Sequence, residues 1–223
     1  GGLNYVGGLV GHAEGCILEN CYNTGTISGV FDVAGLVGSA ETEVRLENCY
    51  NTGTISGKCH VAGLVASAEN GILENCYNTG TISGDGTVGG LICGACPKTE
   101  IRLENCYNTG TINNKPETIS GNATGGLVGF IWIYGEVRLK NCYNTGTINN
   151  KPGIISGKLV GGLVGESRSE VRLENCYYLG DTQGVGNKAD EESGAINLLK
   201  DAQTESVELR PNEIKTIPNT EAN

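Results

Sequence analysis

The sequence has little of the chemistry that most active sites need. Its 223 residues include no methionine, one tryptophan, five aspartates and two histidines. A catalytic zinc site of the metallopeptidase type needs two histidines one helical turn apart with a glutamate between them. His12 and His60 instead lie in different repeats of the chain. We therefore interpret both as surface or turn histidines.

Clustered carboxylates are also missing from the sequence. Asp32 and Asp85 lie in different repeats, and the remaining three aspartates follow residue 180. Parallel β-helices that cleave polysaccharides need a local carboxylate cluster, often with Ca²⁺ or an arginine. The glutamates recur regularly along the chain and form no such cluster. We expect no enzymatic activity, no bound metal and no cofactor.

Positive charge and long apolar runs are scarce as well. The chain has 15 basic and 25 acidic side chains, a formal net charge of -10. This balance argues against nucleic acid, whose affinity comes largely from Lys and Arg meeting phosphates. The sequence contains no run of about 20 apolar residues, so we expect no direct membrane insertion. Because the chain begins inside a repeated pattern without a start Met or a signal peptide, we expect a segment of a longer protein.

What the sequence does have is glycine, 36 residues in all, and a repeat. A phrase beginning Gly-Leu-Val or Gly-Leu-Ile occurs at Gly8, Gly35, Gly63, Gly90, Gly126 and Gly162. It alternates with Asn20-Cys21-Tyr22, Asn48-Cys49-Tyr50, Asn75-Cys76-Tyr77, Asn105-Cys106-Tyr107, Asn141-Cys142-Tyr143 and Asn175-Cys176-Tyr177. Cys49 and Cys76 are 27 residues apart, which is the length of one repeat. A repeat this short cannot bury its apolar side alone, so it must stack on its neighbours.

Each repeat offers short β segments rather than helices. In the second copy these are residues 33–37, 44–46 and 54–56, separated by Gly, Asn, Ser and Thr. The sequence therefore predicts an all-β protein. Residues 1–180 should form a parallel, right-handed β-helix, or solenoid, of about six coils with three short strands per coil.

The fourth and fifth copies and the C-terminal region depart from the pattern. Extra residues at 113–120 and 149–156 predict a paired protrusion at one corner. Residues 181–223 predict an acidic cap or linker, with a short helix over 195–202 covering the end of the stack and linker after Thr204.

Stacking predicts columns of identical side chains. The asparagines suit a hydrogen-bonded ladder at a bend: Asn20, Asn48, Asn75, Asn105, Asn141 and Asn175. The cysteines suit a buried structural column: Cys21, Cys49, Cys76, Cys106, Cys142 and Cys176. We expect these thiols to be mostly reduced. The outward glutamate column (Glu19, Glu47, Glu74, Glu104 and Glu174, with Lys140) and the arginines two positions earlier (Arg45, Arg102, Arg138 and Arg172) predict a solvated charge lattice.

Four further cysteines fall outside the column: Cys16, Cys59, Cys93 and Cys96. The spacing of Cys93 and Cys96 is that of a redox motif or half of a zinc site, but no thioredoxin-like context surrounds them. Strand length places Cys59 about 20 Å away, too far to complete a site. A local disulfide or two buried thiols remain open.

Paired threonines recur in five copies: Thr24 and Thr26, Thr52 and Thr54, Thr79 and Thr81, Thr109 and Thr111, Thr145 and Thr147. In an extended segment both members of each pair would point outward, as on a flat ice-binding face. Alternatively, Asn-Thr-Gly is a turn in which Gly25 supplies φ > 0, and the array is broken. Both interpretations remain open.

The phrases Gly-Gly-Leu-Val-Gly (residues 7–11, 125–129 and 161–165) and Asn-Cys-Tyr-Asn-Thr-Gly resemble the GLUG-motif repeat family over roughly residues 1–180. The closing Asn-Cys-Tyr-Tyr-Leu-Gly of residues 175–180 resembles that family's last repeat. Ala66 and Cys93 depart from the motif at its final Gly. The resemblance implies a noncatalytic extracellular module of bacterial surface or secreted proteins, which include adhesin-like proteins and IgA-cleaving metallopeptidases.

Three functions therefore stay in view. The first is a structural or adhesive module whose partners are neighbouring domains of the same polypeptide and a host glycan or protein. The second is an accessory substrate-recognition domain of a secreted peptidase or glycan-active enzyme. The third is ice binding by the threonine pairs.

Overall fold

The computed structural model describes residues 4–95, 100–115, 123–131, 136–150, 159–187 and 195–197. These residues form β-strands, turns and bends, and no helix occurs among them. It follows that no helix in this part of the chain is long and apolar enough to cross a membrane.

The strands are short and closely spaced. In chain order they are β1 (Val6–Gly7), β2 (Val10–Ala13), β3 (Cys16–Glu19), β4 (Tyr22–Asn23), β5 (Ile27–Ser28), β6 (Val33–Ala34), β7 (Val37–Glu47), β8 (Tyr50–Asn51), β9 (Ile55–Ser56), β10 (Val61–Ala62), β11 (Val65–Glu74), β12 (Tyr77–Asn78), β13 (Ile82–Gly84) and β14 (Val88–Gly89). They continue as β15 (Ile92–Ala95), β16 (Glu100–Glu104), β17 (Tyr107–Asn108), β18 (Ile112–Asn114), β19 (Ala123–Gly125), β20 (Val128–Ile131), β21 (Glu136–Lys140), β22 (Tyr143–Asn144), β23 (Ile148–Asn150), β24 (Leu159–Ser167), β25 (Glu170–Glu174), β26 (Cys176–Tyr178), β27 (Gln183–Val185) and β28 (Ala195–Asn197).

The strands stack into three parallel sheets. The largest has 16 strands, the second runs β28-β26-β22-β17-β12-β8-β4, and the third runs β23-β18-β13-β9-β5. Every strand pairs with the equivalent strand of the next repeat, as Val33 does with Val61 and Val61 with Val88. Each repeat is therefore one coil of a solenoid, and the predicted parallel β-helix is confirmed.

Apolar columns fill the inside of the coils. Leu36, Leu64 and Leu91 are fully buried, and so are their counterparts in the next two coils. Fully burying one leucine side chain contributes about 1.5–3 kcal/mol. Since no single coil can enclose such a residue, most of the stability must come from contacts between coils.

Two details of the strand prediction were wrong. Tyr50–Asn51 forms a strand that lies outside the three predicted segments of this coil. Val37–Glu47 is one strand of 11 residues, so the predicted break before Val44 is absent in that coil. The recurrence of Tyr-Asn in five copies of the phrase is the sequence signal for this strand.

The predicted C-terminal helix is wrong at its start. Ala195–Asn197 forms β28, which pairs in parallel with β26, and β27 pairs with β24. Parallel pairing therefore continues past residue 180. The rest of the predicted helix, the linker after Thr204 and most of the two predicted protrusions lie outside the described residues. The domain boundary at residue 180 and the handedness stay predictions.

Candidate functional site

The repeated phrase from Asn48 to Ile55 contains most of the side chains singled out in the sequence. In this segment Cys49, Asn51, Gly53 and Ile55 are buried, whereas Thr52 and Thr54 are exposed and Tyr50 is half-buried. This alternation is that of an extended chain. The phrase thus places one set of columns inside the solenoid and another set on its surface.

The exposed asparagine column consists of the first Asn of each phrase, and every member is exposed except Asn105, which is half-buried: Asn20, Asn48, Asn75, Asn105, Asn141 and Asn175. All six have φ between 51° and 54°, in the left-handed region that Asn tolerates better than most residues. Side-chain hydrogen bonds join some members, as from Asn141 Nδ2 to Asn105 Oδ1 at 3.1 Å and from Asn105 Nδ2 to Asn75 Oδ1 at 3.3 Å. The predicted ladder is therefore present in part, and its main role is to turn the backbone.

A second asparagine column was not predicted. It consists of the Asn after each tyrosine: Asn23, Asn51, Asn78, Asn108 and Asn144. Asn51 Nδ2 donates to Asn78 Oδ1 at 2.7 Å, and Asn78 Nδ2 donates to Asn108 Oδ1 at 2.8 Å. Asn51 and Asn78 are fully buried. This buried asparagine column is the continuous ladder of the molecule.

The ladder stops where the phrase changes. Tyr178 takes the register position next to Asn144, and it is fully buried. Asn144 Nδ2 consequently has no hydrogen-bond partner among the described residues. The last Asn-Cys-Tyr-Tyr phrase therefore ends the column with an aromatic ring.

The cysteine column lies inside the solenoid. Cys49, Cys76, Cys106, Cys142 and Cys176 are fully buried, Cys21 is half-buried, and all six thiols are free. Each Sγ of the five buried members donates to carbonyl oxygens, as Cys76 does to Glu74 O at 3.2 Å. Burial, more than any other cause, raises the pKa of the Cys106 thiol well above its usual value. Reduced thiols in solution stay a prediction.

A tyrosine column stands on the outer surface beside these two, and it too was not predicted. Tyr22, Tyr50, Tyr77, Tyr107 and Tyr143 stack with ring centroids 4.8–5.0 Å apart and planes within 6° of parallel. Burial between neighbouring rings raises the pKa of Tyr143 to about 12. Only the ring edges face solvent within the stack, so the column offers few open aromatic faces to a ligand.

The threonine pairs fit neither interpretation fully. Thr52 and Thr54 are both exposed, but the chain bends at Gly53 between them. Neither Gly25 nor Gly53 has positive φ, so the predicted turn with φ > 0 at Gly25 is wrong. Glycine is needed because an added Cβ would collide with the carbonyl oxygen of Gly25 in the adjacent coil. The bend separates Thr52 and Thr54 onto the margins of two sheets. Thr24, Thr26, Thr79, Thr81, Thr109, Thr111, Thr145 and Thr147 occupy equivalent positions.

The charged face lies on the other side of the exposed asparagine column. Arg102, Arg138 and Arg172 each bond a glutamate two residues earlier at 2.7 Å. Within the described residues they form no ion pair with the predicted Glu47 column, in which Glu104 and Glu174 lie 3.9–4.0 Å from Lys140. Exposed pairs of this kind contribute about 0–1 kcal/mol each. The arrangement is a solvated charge lattice, in which the arginines pair with Glu100, Glu136 and Glu170.

The remaining candidates do not converge on a catalytic arrangement. His60 Nδ1 lies 2.7 Å from Asp32 Oδ1, and His12 Nε2 lies 3.2 Å from Glu41 Oε1. Each histidine is exposed and bridges two coils. Over the described part of the chain, no group of three or more His, Cys, Asp or Glu side chains has the geometry to hold a metal ion.

Cys59 and Cys93 are closer than the sequence suggested. Cys93 Sγ donates to Thr87 O at 3.1 Å. Gly86, the residue before Thr87, lies directly against Cys59, because a Cβ added to Gly86 would be 2.7 Å from the Cys59 carbonyl oxygen. The predicted separation of about 20 Å was wrong because stacking places Cys59 against Gly86, in the coil that also contains Cys93. Cys96 lies outside the described residues.

These observations define a parallel β-solenoid repeat module. The family model described as the GLUG motif matches residues 2–28 and 57–83. The resemblance to GLUG-motif repeats is thereby confirmed at two of the repeats, each of which corresponds to one coil. No curated protein and no solved structure matches the chain.

Proposed function

We propose that the chain is a noncatalytic structural and adhesive module of a larger bacterial protein, located at the cell surface or secreted. It would space and present neighbouring domains of the same polypeptide and contact a host glycan or protein. The observation that carries this proposal is the register of the Asn-Cys-Tyr phrase, which pairs coil to coil from Tyr22 to Tyr177.

A continuous register of the phrase supports a scaffold because most of its inward and outward positions are filled by the same residue type in coil after coil. A catalytic site needs unlike groups to converge at one place. Here the unlike groups of one coil, such as Cys49, Tyr50 and Asn51, point alternately inward and outward. The repetition instead adds a fixed length of about 4.8 Å for every coil.

The outer surface has two chemically different sides that suit presentation. One side has the exposed Arg–Glu lattice around Arg138. The other carries the uncharged columns to which Tyr50, Thr52, Thr54 and Ser56 belong. Because these columns repeat in each coil, a ligand with a repeating structure, such as a glycan, would meet the same groups several times, and weak contacts would add.

Removal of whole coils tests the spacer role. Deletion of residues 58–84 removes one repeat and joins Gly57 to Asp85, which keeps every column in register. We expect a folded, shorter solenoid, and a loss of adhesion in the full-length protein that grows with the number of coils removed. The matched control, deletion of residues 58–71, breaks the register and should unfold the stack. Complete loss of a chemical activity on removing one coil would contradict a scaffold.

Location is tested with antibodies raised against this chain. Intact cells that make the full-length protein, or their culture medium, should be labelled without permeabilisation. Labelling that requires permeabilised cells would contradict the extracellular part of the proposal and leave the spacer role to be judged by the deletions.

A further inference from the structure

One side of the solenoid carries no charged side chain. In each of the first five copies, the residues that begin with the Tyr of Asn-Cys-Tyr are Tyr, Asn, Thr, Gly, Thr and Ile, followed by Ser-Gly or Asn-Asn. The protein as a whole has 25 acidic and 15 basic side chains. A neutral stretch that recurs at the same place in five coils is therefore a distinct surface, and a charged partner finds no counter-charge in it.

Two columns of this surface lie on the same sheet and expose hydroxyl groups. Tyr50 and Thr52 are two residues apart in an extended segment, so both side chains point outward, about 7 Å apart along the strand. The tyrosine rings stand higher than the threonines beside them, and we call the two columns together the hydroxyl ledge. Its members are Tyr22, Tyr50, Tyr77, Tyr107 and Tyr143 with Thr24, Thr52, Thr79, Thr109 and Thr145.

The hydroxyl ledge is continuous over these coils. Tyr50 pairs in register with Tyr77, and the threonines follow the same register, since the backbone N–H of Thr79 donates to the carbonyl oxygen of Asn51 at 2.9 Å. The tyrosine rings are 4.8–5.0 Å apart and within 6° of parallel. Their hydroxyls therefore form a row with one phenol group per coil.

The hydroxyls of the ledge are available to a ligand. All five threonines of the ledge are exposed, and no hydroxyl of the ledge has a hydrogen-bond partner within the described residues. Because a hydroxyl both donates and accepts, a row of hydroxyls complements another row of hydroxyls. The faces of the inner rings are covered by their neighbours, so a ligand contacts hydroxyls and ring edges.

A linear polysaccharide has the matching chemistry and spacing. In an extended β-1,4-linked chain, the sugars follow one another at nearly the separation of two coils that are stacked about 4.8 Å apart. Every second sugar presents the same edge, so a pair of sugars fits a pair of coils. A coiled α-linked chain lacks this match, and a polyanion finds no basic side chain on the ledge.

We propose that the hydroxyl ledge binds a neutral, extended β-1,4-linked polysaccharide, which lies along the stacking direction with one sugar per coil. This inference rests on the proposed function, because it names the class of glycan and the surface that contacts it. Each coil adds a weak contact on an open surface, and the contacts add because the sugars are covalently linked. Affinity therefore depends on the length of the ligand and on an uninterrupted row of hydroxyls.

Ligand length is tested with the full 223-residue chain. Isothermal titration calorimetry measures binding of the dimer, the tetramer and the hexamer of β-1,4-linked glucose. We expect the hexamer to bind at least about tenfold more tightly than the dimer, since further sugars add contacts without a separate association step. The α-linked hexamer and heparin, a sulfated polysaccharide, should bind much more weakly.

A charge on the ledge tests the position of the ligand. Thr79→Glu places a carboxylate in the middle of the row, and the affinity for the hexamer should fall about tenfold because the ligand would strip water from that charge. The matched control Ile72→Glu adds the same charge to the same coil outside the ledge, between Arg45 and Arg102 of its column. It should bind the hexamer as the unchanged chain does, and circular dichroism should show both variants folded.

Removal of hydroxyls gives a milder test. Tyr77→Phe combined with Tyr107→Phe keeps the ring stack and removes two phenol groups. Since a hydrogen bond contributes about 0.5–1.5 kcal/mol, we expect the affinity for the hexamer to fall about tenfold. Should Thr79→Glu unfold, this variant still tests the ledge.

Several results would overturn the proposal. These are equal affinities for the dimer and the hexamer, equal binding of the hexamer by Thr79→Glu and Ile72→Glu, and binding of the α-linked hexamer as tight as that of the β-1,4-linked one. Tight binding of heparin alone would assign the contact to the arginines of the charged face. If no neutral sugar binds and adhesion still falls with each deleted coil, this inference fails and the scaffold role stands.

Discussion

The two asparagine columns come from the same phrase, Asn-Cys-Tyr-Asn, but they stabilise the fold in different ways. Asn75 is exposed, has φ 53° and turns the backbone. Asn78, three residues later, is fully buried and bonded to its counterparts above and below at 2.7 and 2.8 Å. Identical side chains therefore serve one column through backbone conformation and the other through hydrogen bonding.

The difference shows where a polar residue matters most in a solenoid. An exposed amide can exchange its partners for water, so its side-chain bonds contribute little. A buried amide cannot, and a ladder in which every donor meets an acceptor avoids the cost of burying it. We expect substitutions to separate the two columns by severity.

The largest effect should come from Asn78→Ala. The change removes both ladder bonds, so that one N–H of Asn51 Nδ2 loses its acceptor while the other still donates to Gly53 O, and Asn108 Oδ1 loses its donor. Each unsatisfied buried group costs about 1–3 kcal/mol, so we expect the free energy of unfolding to fall by about 2–5 kcal/mol. Urea denaturation followed by circular dichroism measures it. If Asn78→Ala lowered the free energy of unfolding by less than Asn75→Ala does, the exposed column would matter more for stability than the buried one.

A smaller effect is expected from Asn75→Ala. Alanine in the left-handed region costs about 1–2 kcal/mol, and glycine has no such penalty because it lacks Cβ. Asn75→Gly should therefore unfold at a higher urea concentration than Asn75→Ala. Equal midpoints for the two variants would mean that the exposed column acts through its side-chain bonds instead.

The tyrosine column, which is also partly shielded from solvent, should make the stability of the fold depend on alkaline pH. Burial raises the pKa of Tyr143 to about 12, whereas phenols of the unfolded chain titrate near about 10. The folded state thus favours the neutral phenol, and its contribution to stability is present below pH about 10 and is lost as the pH rises toward about 12.

Ultraviolet absorbance titration tests this expectation. The folded protein should show late-titrating phenols that Tyr143→Phe reduces, and the same protein in denaturant should show a single ordinary transition. Coincident curves for the folded and denatured protein would mean that the rings are not shielded.

The smallest effect is expected at the threonines. Thr54 is exposed, and its hydroxyl makes no hydrogen bond within the described structure. Thr54→Val keeps the branched β-carbon and should change the free energy of unfolding by less than about 0.5 kcal/mol. Because the bend at Gly53 divides the threonine pairs, we also expect no thermal hysteresis at millimolar protein. Hysteresis that Thr54→Tyr abolishes would restore an ice-binding face.

The sequence by itself determined the architecture. Its period, its alternating phrases and its short apolar segments required stacked coils, because one repeat cannot enclose its own leucines and cysteines. It also located the turn at Asn48, since stacking aligns every copy of the phrase.

Only the tertiary structure decided that Asn51 faces inward and Tyr50 outward. A shift of one residue exchanges the two faces of a strand, and the phrase alone did not say where the strand at Tyr50 begins. The buried ladder at Asn51, the ring stack at Tyr50 and the nearness of Cys59 to Cys93 all depend on that register and on the path of the chain between sheets. Contacts between residues about one repeat apart become visible only when the coils are stacked.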